Sequence, residues 1–137
     1  MYPVELTIPM AKDLTDFGFT GLSSETEVIQ ALEQQQGTAL LVVNSVCGCA
    51  AANARPGAKI ALQHPKTPDK KYTVFAGVDR GATEKAREYL LPYPPSSPAI
   101  ALFKEGRLVF MLERHRIEGR TAQMIAGDLV AAFDEYC

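Results

Sequence analysis

The chain has little charge of one sign to spare. Lysine and arginine number 14, aspartate and glutamate 16, a formal net charge of −2 over 137 residues. No basic face points to nucleic acid, and no acidic block points to a solvated tail. Long apolar runs are missing as well. The opening residues, MYPVELTIPMAKDLTDFGF, hold no basic leader and no continuous apolar stretch. Neither a signal peptide nor a membrane span is expected, and the expected location is cytoplasmic. Cysteine is scarce and odd in number, with three residues, so a monomer with every cysteine paired is impossible. Histidine is scarcer still, with two. Internal repeats and low-complexity segments are absent. What remains is a chain of one-domain length with 47% apolar residues, enough for a substantial core.

Against that background one stretch stands out. VVNSVCGCAAANARPG puts Cys47 and Cys49 on either side of Gly48, where an apolar run gives way to an alanine-rich segment. In a reducing compartment such a pair is more readily catalytic or metal-binding than a structural bridge. Three readings stand side by side: a redox couple, a copper, zinc or iron–sulfur carrier site, or two small buried apolar residues. Tetrahedral zinc needs four ligands. Beyond the pair the chain offers only Cys137 and the two histidines, with no second pair at ligand spacing.

The elements around the pair follow from periodicity. Residues 1–22 read as irregular, with a short helix near Met10 to Phe17. SSETEVIQALEQQQG reads as a helix, with Ser24 and Glu27 as a capping box, a Val28–Ala31–Leu32 stripe and Gly37 as its stop. Thr38 to Val46 is continuous and β-branched, a central strand covered on both faces. A helix from Ala50 to about Gln63 contains Pro56 and is expected to kink there. Tyr72 to Val78 reads as a strand and ATEKAREYLL as a short helix. AIALF and RLVFML form a hairpin around Gly106. Ile125, Leu129, Ala132, Phe133 and Tyr136 make the last helix amphipathic. Helical crossovers imply a parallel strand pair and the hairpin adds antiparallel ones. The expected class is α/β, a mixed central sheet with helices on both faces and a C-terminal hairpin plus helix.

A strand, then a cysteine pair opening a proline-bearing helix, then GVDRGATEKAREYL and SPAIALFKEGRLV, resembles the three-layer thioredoxin fold over roughly residues 24 to 137. NSVCGCA with ARPG, PSSPAIAL, RHRIEGR and the terminal Cys137 resembles the bacilliredoxins more closely. Thioredoxins carry two residues between their cysteines; here there is only Gly48. The resemblance implies a single thioredoxin-like domain over residues 1–137 with 1–22 as an extension. It implies a thiol–disulfide oxidoreductase or isomerase that removes bacillithiol from proteins held in mixed disulfide with it. Its partners would be thiol-modified or disulfide-bonded client proteins and a low-molecular-weight thiol, with no other cofactor, no metal, no nucleic acid and no membrane.

The chemistry sorts the residues. A helix N-terminus lowers a cysteine pKa, so Cys47, between strand and helix, is the expected nucleophile. Cys49 is the expected resolving thiol. Residues two apart on a helix point to different sides, so the pair meets only if Cys47 lies outside it, which Gly48 permits. So small a ring is strained, and the couple should be more oxidising than thioredoxin at about −270 mV. Pro98 occupies the position where the family carries a cis proline, with Ser97 offering backbone groups to substrate; the plain alternative is a rigid residue in PYPPSSP. Glu113, Arg114 and His115 should return to the cysteine end, where a cation could stabilise a thiolate or hold a substrate carboxylate and His115 could move a proton. The alternative there is a solvated loop. Asn44 and Ser45 need hydrogen-bond partners, structural or capping. Arg55 and Lys59 read as solvated or paired, and His64 as a surface residue at the opposite end. Cys137 reads as a mobile terminal thiol, either a third redox group or incidental.

Overall fold

The computed structural model describes residues 3–33, 36–46 and 48–137, with Cys49 described by its backbone. Among these, five strands form one sheet in the order β1-β3-β2-β4-β5. Central β2 (Thr38–Asn44) is buried along its whole length, as its unbroken apolar run requires. It pairs in parallel with β3 (Lys70–Phe75) and antiparallel with β4 (Ala99–Lys104). A two-residue turn at Glu105 and Gly106 links β4 to β5 (Arg107–Leu112).

Side-chain alternation along the strands splits the core in two. Leu40, Val42, Ile100 and Leu102 face one layer, with α3 (Gly48–Ala61) and α5 (Ala122–Tyr136) supplying Ala54, Ala58, Ile125 and Leu129. Leu41, Val43, Ala101 and Phe103 face the other, covered by Val28 of α2 (Glu25–Val28) and by Ala82 and Ala86 of α4 (Arg80–Glu88). Beyond α2 the chain continues as a π-helical turn, Ile29–Glu33, so the expected regular helix is shorter. Its cap is also shifted. Ser24 Oγ accepts the Glu27 N–H, but the Glu27 carboxylate reaches back to Ser23, not to Ser24.

The start of the chain corrects the expectation of an irregular extension and lengthens the short helix expected near Met10 to Phe17 toward the N-terminus. Val4–Thr15 forms helix α1, and Thr20–Gly21 forms β1, a parallel edge strand on β3. The helix buries Thr7 and Leu14, seven residues apart, while Val4, Leu6 and Ile8 stay exposed. Its apolar residues therefore alternate like a strand's and lie off the buried face, which hides the helical period.

Helices α3 and α5 approach each other closely at Gly57. An added Cβ would lie 2.8 Å from Ile125 Cγ2 and 3.2 Å from the Ala122 carbonyl oxygen. Overpacking costs about 1–3 kcal/mol, against about 1 kcal/mol that alanine gains over glycine in a helix. Gly57→Ala should therefore lower stability by about 1 kcal/mol in urea unfolding. A rise in stability would show that the two helices separate freely.

Candidate functional site

The site grows from the end of β2. Asn44 and Ser45 are buried at 1% and 3% exposure. The Asn44 side chain absorbs three polar groups. Its Oδ1 accepts the Ser45 N–H at 2.9 Å and Arg55 Nη1 at 3.0 Å, and its Nδ2 donates to the Met10 carbonyl at 3.1 Å. The expected need for partners is met by structure, not by a helix cap. The chain then turns sharply, with the Gly48 N–H donating to the Val46 carbonyl at 2.8 Å. Gly48 has φ +49°, a left-handed conformation that side chains resist. Nothing lies within 4 Å of a Cβ placed there, so the requirement is conformational and not steric.

Helix α3 opens at Gly48, which places Cys49 in its first turn. Cys47, between Val46 and Gly48, lies outside the described residues, and of Cys49 only the backbone is described. The N–H groups of that first turn have no partners within the helix, and the helix dipole places partial positive charge there.

The second wall comes from β4. Val43 pairs with Ala99, so one step along the antiparallel ladder puts Pro98 level with Asn44. The Ser97–Pro98 bond is cis, as the family resemblance implied. Arg114, in the one-turn 3₁₀ helix Arg114–Arg116 after β5, donates from Nη1 to the Ser97 carbonyl at 3.1 Å. Its backbone N–H donates to Ser96 Oγ, and its Nε donates to Glu118 at 2.6 Å. The return of this segment to the cysteine end is as expected, with Arg114 tied to the cis-proline loop. His115 follows on the same turn, exposed to solvent.

Cys137 belongs elsewhere, and its expected mobility is overturned. Its N–H donates to the Phe133 carbonyl at 2.8 Å, and its side chain packs on the α3–α5 layer. Burial pushes its thiol pKa up, opposed by a hydrogen bond with Thr38. Thr38 opens β2, so six strand steps, roughly 20 Å, separate it from Asn44. A thiol held protonated so far from the turn is a poor nucleophile. Cys137→Ser should leave exchange rates within twofold of wild type, and iodoacetamide should label Cys137 more slowly in the native protein than in urea. A severalfold loss of exchange would place it in the mechanism after all. His64, at the same far end, pairs with Asp134 at 2.8 Å.

The sequence reading missed how the charges below the turn are joined. Arg55 Nη1 also donates to the Ser45 carbonyl at 3.0 Å, and its Nε lies 3.7 Å from Asp13. Lys59 meets the same carboxylate at 2.6 Å. Pairing was one of the two readings for both cations; the carboxylate they share, Asp13, sits on α1, inside the segment read as a short helix.

Solved structures share this arrangement of sheet and helices. Fasciola hepatica thioredoxin matches with a TM-score of 0.61 at 13% identity, covering 87% of this chain and all of that one. Reduced Schistosoma mansoni thioredoxin pre-protein matches at 0.60 and 12%, covering 87% and 98%. The fold is that of thioredoxin, and the sequence puts a cysteine pair where its central strand gives way to the following helix. The sequence comparisons narrow the class. The family described as disulphide isomerase matches residues 2–137. A bacilliredoxin of Cytophaga hutchinsonii is 56% identical over 135 residues, 98% of this chain and 99% of its own. Bacilliredoxins of Salinibacter ruber and Bacillus cereus are 53% and 46% identical, covering 99% of this chain and 81% and 95% of theirs. The chain belongs to the bacilliredoxin family. That membership makes it a redox enzyme of the thiol-oxidoreductase type and implies thiol-containing client proteins. No helix among the described residues is long and apolar enough to cross a membrane.

Proposed function

We propose that the chain resolves mixed disulfides between client proteins and bacillithiol, with Cys47 as nucleophile and Cys49 as resolving thiol. The observation that carries this reading is the turn at Gly48. Its left-handed backbone opens α3 between the two cysteines, at the helix end that favours a thiolate. The Cys47 thiolate attacks the bacillithiol sulfur of the mixed disulfide. The old S–S bond breaks, a new one joins Cys47 to bacillithiol, and the client leaves as a thiolate that takes a proton from water. The Cys49 thiolate then attacks Cys47 Sγ and expels bacillithiol as its thiolate, leaving a Cys47–Cys49 disulfide. Two electrons have passed from the cysteine pair to the substrate. Bacillithiol is thus a co-substrate, and the chemistry asks for no other cofactor. A second bacillithiol attacking the Cys47 adduct gives the one-cysteine route, releasing bacillithiol disulfide.

The cis-proline loop supports the client side of this reading. Ser97 presents its backbone beside the turn, and Arg114 holds that backbone by its carbonyl. A guanidinium at this end is suited to a carboxylate on the small thiol.

Intact mass spectrometry tests the reading. Wild type, Cys47→Ala and Cys49→Ala are each exposed to a bacillithiol-modified protein. Wild type should end as an internal disulfide, Cys49→Ala should carry one bacillithiol on Cys47, and Cys47→Ala should carry none. An adduct that forms on Cys49 or Cys137 in preference to Cys47 refutes it.

A further inference from the structure

A charged cluster lies directly below the turn. Arg55 Nη1 reaches two acceptors, Asn44 Oδ1 and the Ser45 carbonyl, both at 3.0 Å. Asn44 in turn holds the Ser45 N–H and the Met10 carbonyl. The Arg55 side chain is 11% exposed, and behind it stands Asp13 on α1, shared with Lys59. Three elements, α1, β2 and α3, are therefore fastened at the two residues that lead into Val46 and Cys47. Counting charges, two cations face one carboxylate, so the cluster keeps one unit of positive charge.

We propose that Arg55 is a positioning residue for the reactive thiol, fixing the Asn44–Ser45 backbone that leads into Cys47 and leaving one uncompensated positive charge in the cluster that holds this backbone. The inference deepens the thiol-exchange reading and rests on it. Burial pushes the Arg55 pKa down, and Asp13 pulls it back. A guanidinium nevertheless stays charged at any pH the protein meets. Lysine is no substitute in geometry. Its ammonium is a point charge, whereas the guanidinium meets two acceptors on one side while turning Nε to a third group. β2 carries no titratable side chain. On α1, Lys12 and Asp16 form an exposed pair. On α5, which packs on α3, Asp128 is taken by Arg120.

The two effects separate in three variants, made on a Cys49→Ser, Cys137→Ser background so that one thiol titrates by its ultraviolet thiolate absorbance. Each is also made on the wild-type background for kinetics. Arg55→Ala removes both the cation and the bonds. It should raise the thiolate pKa by about half to one unit and lower kcat/KM for a mixed-disulfide substrate about tenfold. Arg55→Lys keeps the charge and loses the fork. Its pKa should stay within about 0.3 unit while kcat/KM falls severalfold. Asp13→Asn removes the opposing charge and should move the pKa down. A merely structural role lowers the melting temperature in all three and leaves the thiolate pKa unmoved; that result overturns the proposal. Where Arg55→Ala does not fold, the contrast between Arg55→Lys, with its pKa held, and Asp13→Asn, with its pKa lowered, still decides. Failure of the underlying reading looks different: Cys47→Ser would then exchange as fast as wild type.

Discussion

Replacing Cys47 by serine should lower the rate of mixed-disulfide exchange by on the order of a thousandfold or more, the loss expected when a nucleophile is removed. A serine hydroxyl is neutral at pH 7 and does not attack a disulfide sulfur, whereas the attacking species in exchange is a thiolate. The remaining parts of the site bind and orient, but they form no bond to sulfur. Cys49→Ser should behave in the opposite way in a single turnover. The first step proceeds, the adduct on Cys47 persists, and multiple turnovers become dependent on added small thiol. Stopped assays of client-thiol release measure both. If the two variants release client thiol at the same rate as wild type, exchange runs through neither cysteine and the assignment fails.

The largest effect on stability is expected at Phe103. This ring is fully buried in the layer under α2 and α4, on β4, with Ala39 of β2 and Leu108 of β5 as register partners. Its truncation to alanine removes the bulkiest group of that layer and leaves a cavity. Such changes cost about 3–5 kcal/mol, a large part of the roughly 5–15 kcal/mol that holds a domain together. Phe110 on β5 is only partly buried, at the edge of the other layer. Phe110→Ala should cost less than half as much. The chain has no tryptophan, so urea unfolding is best followed by far-ultraviolet circular dichroism. Equal losses at the two positions would contradict the assignment of the core.

Much of this molecule is readable in its sequence because the relevant signals are local. The unbroken run from Thr38 predicted a strand buried on both faces, and the two core layers divide along it residue by residue. The hairpin at Gly106 and the α5 stripe from Ile125 to Tyr136 are equally short-range patterns. The cis bond at Pro98 followed from family resemblance, since no local rule chose it over the other prolines of PYPPSSP. The first turns of α1 were obscured because Val4, Leu6 and Ile8 point to solvent and Pro9 follows them; only its second half was legible, as a short helix near Met10 to Phe17. The Arg55 cluster was hidden for a different reason. Its partners are Asp13, Asn44 and Ser45, and contacts between residues so far apart in the chain leave no periodic trace. Cys137 looked mobile only because it ends the chain; it is held by the Phe133 carbonyl and by packing on the α3–α5 layer.

The burial of β2 bears on how the enzyme fails. A strand in the middle of a sheet, covered by two core layers, opens only when the whole protein unfolds. The backbone leading into the reactive turn is the last of this strand. Fraying of the edge strand β1 therefore costs the enzyme little chemistry on its own. Heating should abolish disulfide exchange and the slowest-exchanging β2 amides in a single transition, with no temperature range in which the protein is folded but its thiol has lost its footing.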